Sequence, residues 1–206
     1  MKNPLGIHAL VWSGHWQRNN IDFAIGNSSK LGFDLIEIPL LNPYKFDADY
    51  TKKVLGINKI NAVTSLGLSD GTDITSDDPQ TRKNGEKLLS KALEMTSKIG
   101  ANYMGGVLYS ALKKYDKPPV KDAFKNSVEI IRNLSEQAKN MGIIIGLEPV
   151  NRYESNLINT ASQAMDFIKL SESDNLFIHL DSYHMNIEEA SFSECISYCG
   201  DKLGYF

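Results

Sequence analysis

The sequence predicts an α/β fold on a parallel sheet, and three observations carry that prediction. Short apolar runs of strand length alternate with longer amphipathic stretches six times along the 206 residues, a rhythm that parallel strands with helical crossovers require. Two of those runs, 143–147 (IIIGL) and 176–180 (LFIHL), are apolar except for one glycine and one histidine, which suits strands covered on both faces. No linker or shift in composition interrupts the series, so residues 1–206 read as one domain. Two architectures fit: an open doubly wound sheet, or a (β/α)8 barrel of about 250 residues met through its first six βα units. The strand-like residues 204–206 (GYF) favour the interrupted barrel, truncated at the start of strand seven.

Taken in order, residues 6–12 (GIHALVW) read as the first strand, with His15 and Trp16 on the loop after it. Those two suit the lining of a mouth and simple surface packing equally. Residues 21–31 carry a helical stripe closed by Gly32, a residue suited to a left-handed cap. Residues 35–41 form the second strand, where Pro39 ends regular pairing. A helix over 48–58 and a strand over 61–68 lead to a polar loop. Pro79 then opens a long helix with Leu88, Ala92, Met95 and Ile99 on one face. The fourth strand is 102–109 (NYMGGVLY); its Gly105-Gly106 pair has no GxGxxG frame and reads as a point of close approach. A helix over 120–141 follows, with Phe124, Val128, Ile131, Leu134 and Ala138 on one side. After the 143–147 strand come helices over 162–170 and 191–203, with the 176–180 strand between them.

A chain of this length buries roughly 70% of its unfolded surface in a single core. Its 42% hydrophobic and 23% charged fractions are those of an ordinary soluble globular protein. The net charge of −3, without a basic stripe, argues against nucleic-acid partners. No apolar stretch approaches the ~20 residues of a membrane span, and residues 1–12 show no secretory core. Cys195 and Cys199 lie four apart on a helical stretch, a spacing of neither zinc sites nor disulfide frameworks. They read as packing residues, and the expected location is cytoplasmic.

The chemistry gathers at two strand ends. Glu148 closes the 143–147 run, with Asn151, Arg152 and Glu154 after it; Asp181 and His184 follow the 176–180 run. Strand carboxyl ends form the ligand mouth of a parallel βα protein, so a carboxylate pair with a histidine there looks like half of a metal site. The plainer alternative is that both acids cap loops or pair with Arg152 and lysines. Other residues read more blandly. His179 suits a core or helix-facing position, Arg152 a structural ion pair as much as a substrate contact, and Glu188-Glu189 the segment before the last helix. Glu37 also ends a strand, without a ranked role.

The motifs LGFDLIEIP, TSDDPQTRK, GGVLYSAL, LEPVNRYESNLINTA and HLDSYHMNIEEASF run in order along the chain. With them the chain resembles the ketose 3-epimerases (D-tagatose and D-allulose/psicose 3-epimerases) of the xylose isomerase-like, AP-endonuclease-type TIM barrels. The resemblance implies a metal-dependent C3 epimerase of a free ketose, often a homodimer or homotetramer, with Mn2+ or Co2+ (Mg2+ also suits) at the barrel mouth. It places Glu148 and Asp181 on the first two metal ligands, and Glu154 and His184 on positions that bind the carbonyl end of the ketose. It assigns a third ligand, a histidine, to strand seven and a fourth, a glutamate, to strand eight, both beyond Phe206, as is a substrate-binding arginine. His8 stands where relatives often have Tyr, and Leu112 where some have Trp.

The residue types fit that chemistry. A proton beside a carbonyl is weakly acidic, so its removal calls for a close carboxylate and a Lewis acid at the developing ene-diolate. Inversion then requires protonation from the opposite face by a second acid. Glu148 is read as one of those two carboxylates. Oxygen-rich ligands suit Mn2+, Mg2+ or Co2+ rather than a thiolate metal. The alternatives are an isomerase of a related sugar or inositol-derived ketone, and an inactive barrel fragment or sugar-binding remnant. DNA repair, the superfamily's other activity, calls for a histidine-rich zinc site, which four histidines and an acidic balance disfavour.

Overall fold

Parallel strands and helices take turns along the chain, as the apolar periodicity predicts. The computed structural model describes residues 3–206. It comprises two compact units, one running to Leu66 and including Lys91–Met104, the other made of Gly67–Ser90 and Gly105–Phe206.

In the first unit, β1 (Gly6–His8), β2 (Leu35–Pro39) and β3 (Asn61–Ser65) are parallel neighbours in that order. Their registers run from Gly6↔Leu35 to His8↔Glu37 and from Leu35↔Asn61 to Pro39↔Ser65. The helix α1 (Arg18–Lys30) buries Ile21, Ala24, Ile25 and Ser28. Serine is tolerated in that stripe because its hydroxyl donates to Ala24 O at 2.7 Å and accepts from Trp12 Nε1 at 2.9 Å. The chain turns after α1 at Gly32, with φ of +84°, as predicted. Asp47 caps α2 (Ala48–Asn58) by accepting from Tyr50 N at 3.1 Å. The first strand is shorter than predicted. At Ala9–Val11 the backbone tightens into a 3-10 turn, because His8 Nδ1 accepts the Leu10 N–H at 3.1 Å and so caps it.

The long helix α3 (Pro79–Ile99) begins in the second unit, where Asp78 accepts from Gln80 N and Thr81 N. Its buried face starts at Leu89 rather than Leu88 and continues through Ala92, Leu93, Met95 and Ile99. Gly85 is required: a Cβ there would meet Thr72 O at 2.2 Å. The strand β4 (Tyr103–Gly105) stops well short of the predicted Tyr109, since Gly106 takes φ of +110°. The helix α4 (Ala123–Asn140) buries Val128, Ile131, Leu134 and Ala138 as predicted. The strands β5 (Ile144–Leu147), β6 (Leu176–His179) and β7 (Leu203–Tyr205) are parallel neighbours, Ile145 facing Leu176 and Ile178 facing Leu203.

The helix α5 (Ala161–Ser171) starts with a capping box, Thr160 and Gln163 each receiving the other's backbone N–H. After β6 stands a helix the sequence did not predict, α6 (Ser182–Glu188). The predicted helix over 191–203 ends early: α7 (Phe192–Cys199) gives way to a 3-10 turn at Gly200–Lys202, and Leu203 already belongs to β7. Glu188 is thus the last residue of α6. Its seven residues, SYHMNIE, are too few and too polar to show a stripe. Among the described residues, no helix is long and apolar enough to cross a membrane.

Candidate active site

Within the second unit the backbone at Glu148 is pinned from both sides. Its N–H donates to Gly106 O at 3.1 Å, so the glycine pair serves as the point of close approach its sequence suggests. Its carbonyl lies 2.9 Å from the Tyr109 hydroxyl, which also reaches Ile158 O at 2.8 Å. Tyr109 is fully buried, and burial pushes its phenol above the usual tyrosine range, so it stays a neutral donor. Ser127 Oγ holds the Tyr109 carbonyl at 2.6 Å. The side chain of Glu148 is thereby presented at the carboxyl end of β5.

Asp181 stands two residues beyond β6. As N-cap of α6 its Oδ1 accepts from Tyr183 N at 2.7 Å. His184 lies in the first turn of that helix, buried, with Nε2 3.7 Å from Glu148 Oε1. Glu148, Asp181 and His184 each bring one potential ligand atom to within 4.8 Å of the others. The plainer reading holds for one oxygen of Asp181, which does cap a helix.

Glu154 joins the group through Asn151, whose Nδ2 lies 2.9 Å from Glu154 Oε1 and 2.9 Å from His184 Nδ1. The structure therefore brings all four sequence-predicted site residues into one connected cluster. It adds Asn151, to which the sequence reading attached no role. The signal was present, since an asparagine two residues before a turn's N–H commonly closes an Asx turn, and Tyr153 N donates to Asn151 Oδ1 at 2.9 Å.

The remaining candidates resolve toward structure. Arg152 makes a fork to Glu188, Nε to Oε1 at 2.9 Å and Nη2 to Oε2 at 2.7 Å, and its own N–H adds a third bond at 2.7 Å. That partnership holds the Glu188 carboxyl below its usual range. His179 is buried with its ring edge-on to Tyr205, centroids 4.5 Å apart. Glu189 accepts from Ala161 N at 2.7 Å at the start of α5. Burial pushes the Cys195 thiol up to about 12 and raises that of Cys199, so both remain protonated packing groups. In the first unit Trp16 Nε1 donates to Thr51 Oγ1 at 3.2 Å while His15 is exposed, and His8 Nε2 lies 3.5 Å from Glu37 Oε1.

Carboxylates at the ends of consecutive parallel strands, with a histidine between them, define a class before they define a reaction. The family model described as a xylose isomerase-like TIM barrel matches residues 25–206, and the chain belongs to that family. Of the two architectures compatible with the sequence, membership selects the (β/α)8 barrel. Within the family the chain is similar to the ketose 3-epimerase of Arthrobacter globiformis, 41% identical over 98% of this chain and 70% of that protein. It is 42% identical to the L-ribulose 3-epimerase of Methylomonas sp. (strain DH-1), over 97% of this chain and 70% of that one. The crystal structure of D-allulose 3-epimerase from Methylomonas sp. in complex with D-allulose matches with a TM-score of 0.96 at 42% identity, covering 98% of this chain and 70% of that one. The chain is thus a ketose 3-epimerase-like isomerase.

Proposed function

We propose that the protein inverts C3 of a free ketose through an ene-diolate, with Glu148 as one of two acid/base carboxylates. The observation that carries the reading is the convergence of Glu148, Asp181 and His184 within 4.8 Å at the ends of β5 and β6. The names of the three relatives described above, each a ketose 3-epimerase, support the same reaction class.

The donor set fits a divalent cation of the hard kind. Two carboxylates offer oxygens, and both thiols of the chain are buried and protonated, so Mn2+ or Co2+, with Mg2+ also suited, is preferred over a thiolate metal. Glu148 and Asp181 would hold it, and it would supply Lewis-acid stabilisation of negative charge on the substrate oxygens. Glu148, held by its backbone bonds at a strand end, takes the C3 proton. Glu154 and His184 hold the C1–C2 end of the ketose by hydrogen bonds. The resemblance assigns the second acid and the remaining ligands to positions outside residues 1–206. A homodimer or homotetramer in the cytoplasm completes the proposal, two free thiols being in keeping with a reducing compartment.

A panel of free and phosphorylated ketoses, run with and without a chelator, tests this. Turnover of unphosphorylated ketohexoses or ketopentoses, lost to the chelator and recovered best with Mn2+ or Co2+, is expected. A tenfold preference for phosphate esters, about 1.4 kcal/mol, or indifference to the chelator, contradicts it.

A further inference from the structure

The chemistry of His184 is decided at the nitrogen that faces away from Glu148. Its Nδ1 receives the Asn151 backbone N–H at 3.2 Å, and Asn151 Nδ2 lies 2.9 Å from the same atom. The orientation of that amide follows from its other partners. Tyr153 N–H donates to Asn151 Oδ1 at 2.9 Å, and Nδ2 sits 2.9 Å from Glu154 Oε1. Reversed, the amide would set donor against donor and acceptor against acceptor. Asn151 is 1% exposed, so those mismatches would go unrelieved by water. The two Nδ2 protons are therefore accounted for, one on Glu154 and one on His184. With two N–H groups directed at Nδ1, the ring proton of a neutral imidazole belongs on Nε2.

We infer that Asn151 is a positioning residue whose backbone N–H and side-chain amide together fix His184 as an Nε2–H donor, the amide also orienting Glu154 as an acceptor. One consequence concerns the metal. With Nδ1 accepting and Nε2 protonated, neither ring nitrogen presents a lone pair to a cation, so His184 is no ligand and the cation's donors in this cluster are Glu148 and Asp181. A second concerns the substrate. A fixed donor beside a fixed acceptor recognises a carbonyl oxygen next to a hydroxyl, the pattern of an α-hydroxyketone; this step rests on the proposed epimerase reading, whereas the tautomer does not.

Ring-15N NMR on histidine-labelled protein, with His184 assigned from His184→Gln, reads the tautomer directly. The unaltered protein is expected to show Nε2 protonated and Nδ1 bare. Asn151→Asp keeps the acceptor for Tyr153 N–H but turns an oxygen toward Nδ1 and Glu154. It is expected to shift the Nδ1 resonance, since only the backbone N–H of residue 151 still donates there, and to raise KM for a free ketose about tenfold or more, ~1.4 kcal/mol, with a smaller change in kcat. A His184 protonated on Nδ1 in the unaltered protein overturns the inference, and that measurement needs no variant to fold. Asn151→Ala with an unchanged Nδ1 resonance and unchanged KM overturns it as well. The expected tautomer together with no turnover of any ketose supports the inference and sinks the epimerase reading instead.

Discussion

Among the described residues, the pairs His8–Glu37 and His184–Glu148 lie one in each unit, and locally they are built alike: Glu37 sits within β2 and Glu148 just past β5. His8 Nε2 lies 3.5 Å from Glu37 Oε1 and His184 Nε2 lies 3.7 Å from Glu148 Oε1. In both, Nδ1 accepts a backbone N–H, from Leu10 at 3.1 Å and from Asn151 at 3.2 Å. The surroundings differ. The His8 side chain is 34% exposed and its bond caps a 3-10 turn, whereas the His184 side chain is 9% exposed. Only the second pair gains an amide link to another carboxylate, Glu154, and a strand-end aspartate within ligand reach, Asp181. A histidine–carboxylate contact by itself does not mark a reaction site. What marks a reaction site is the convergence of further acids on it.

The largest expected effect separates the pairs by activity. Glu148→Gln keeps the shape of the side chain but removes the base, and turnover should fall by roughly 10²–10⁴. Glu37→Gln should cost distinctly less; equal losses would show that the two pairs are not functionally distinct. Asp181→Asn comes next. The amide retains an oxygen for Tyr183 N–H, so α6 and the circular dichroism should persist while metal affinity drops tenfold or more, as loss of a charged ligand requires. A metal titration by calorimetry decides it, and unchanged affinity would remove Asp181 from the donor set.

Smaller effects test the scaffold around the second pair. Thr160→Ala removes the capping hydroxyl of α5 and should lower unfolding stability by about 1 kcal/mol without touching turnover. Arg152→Ala should show itself through pH. Arg152 depresses the Glu188 carboxyl, mainly by their side-chain hydrogen bonds. A depressed folded-state value adds stability above the unfolded carboxylate's ~4.3 and loses it as pH falls through the folded value. The variant should therefore unfold at a lower temperature than the parent near neutral pH, and the gap should close in acid. A gap independent of pH would mean that the pair does not carry that linkage.

How far the site could be read from the sequence follows from the range of each signal. Glu148 and Asp181 stood out because an apolar run followed by an acid is a local pattern. The helix that carries His184 did not, although its cap, Asp181, was already singled out for another reason. Seven residues with Met185 as the main apolar anchor give no periodicity to detect. Asn151 escaped because its partner lies 33 residues away, a pairing that exists only once β5 and β6 are neighbours. The strand over 6–12 was overextended because Ala9–Val11 is as apolar as a strand, while the side-chain cap that turns it is a single bond from His8. Fold class needed only alternation. The hydrogen-bonded shell around the acids needed tertiary contact.

The most direct measurement is exchange of the ketose C3 proton with deuterated water, followed by NMR at matched metal occupancy. The parent protein should wash deuterium into C3 at a rate comparable with epimerisation, and Glu148→Gln should not. Exchange in Glu148→Gln at near the parent rate, with metal bound, would place the base elsewhere and contradict the assignment of the site.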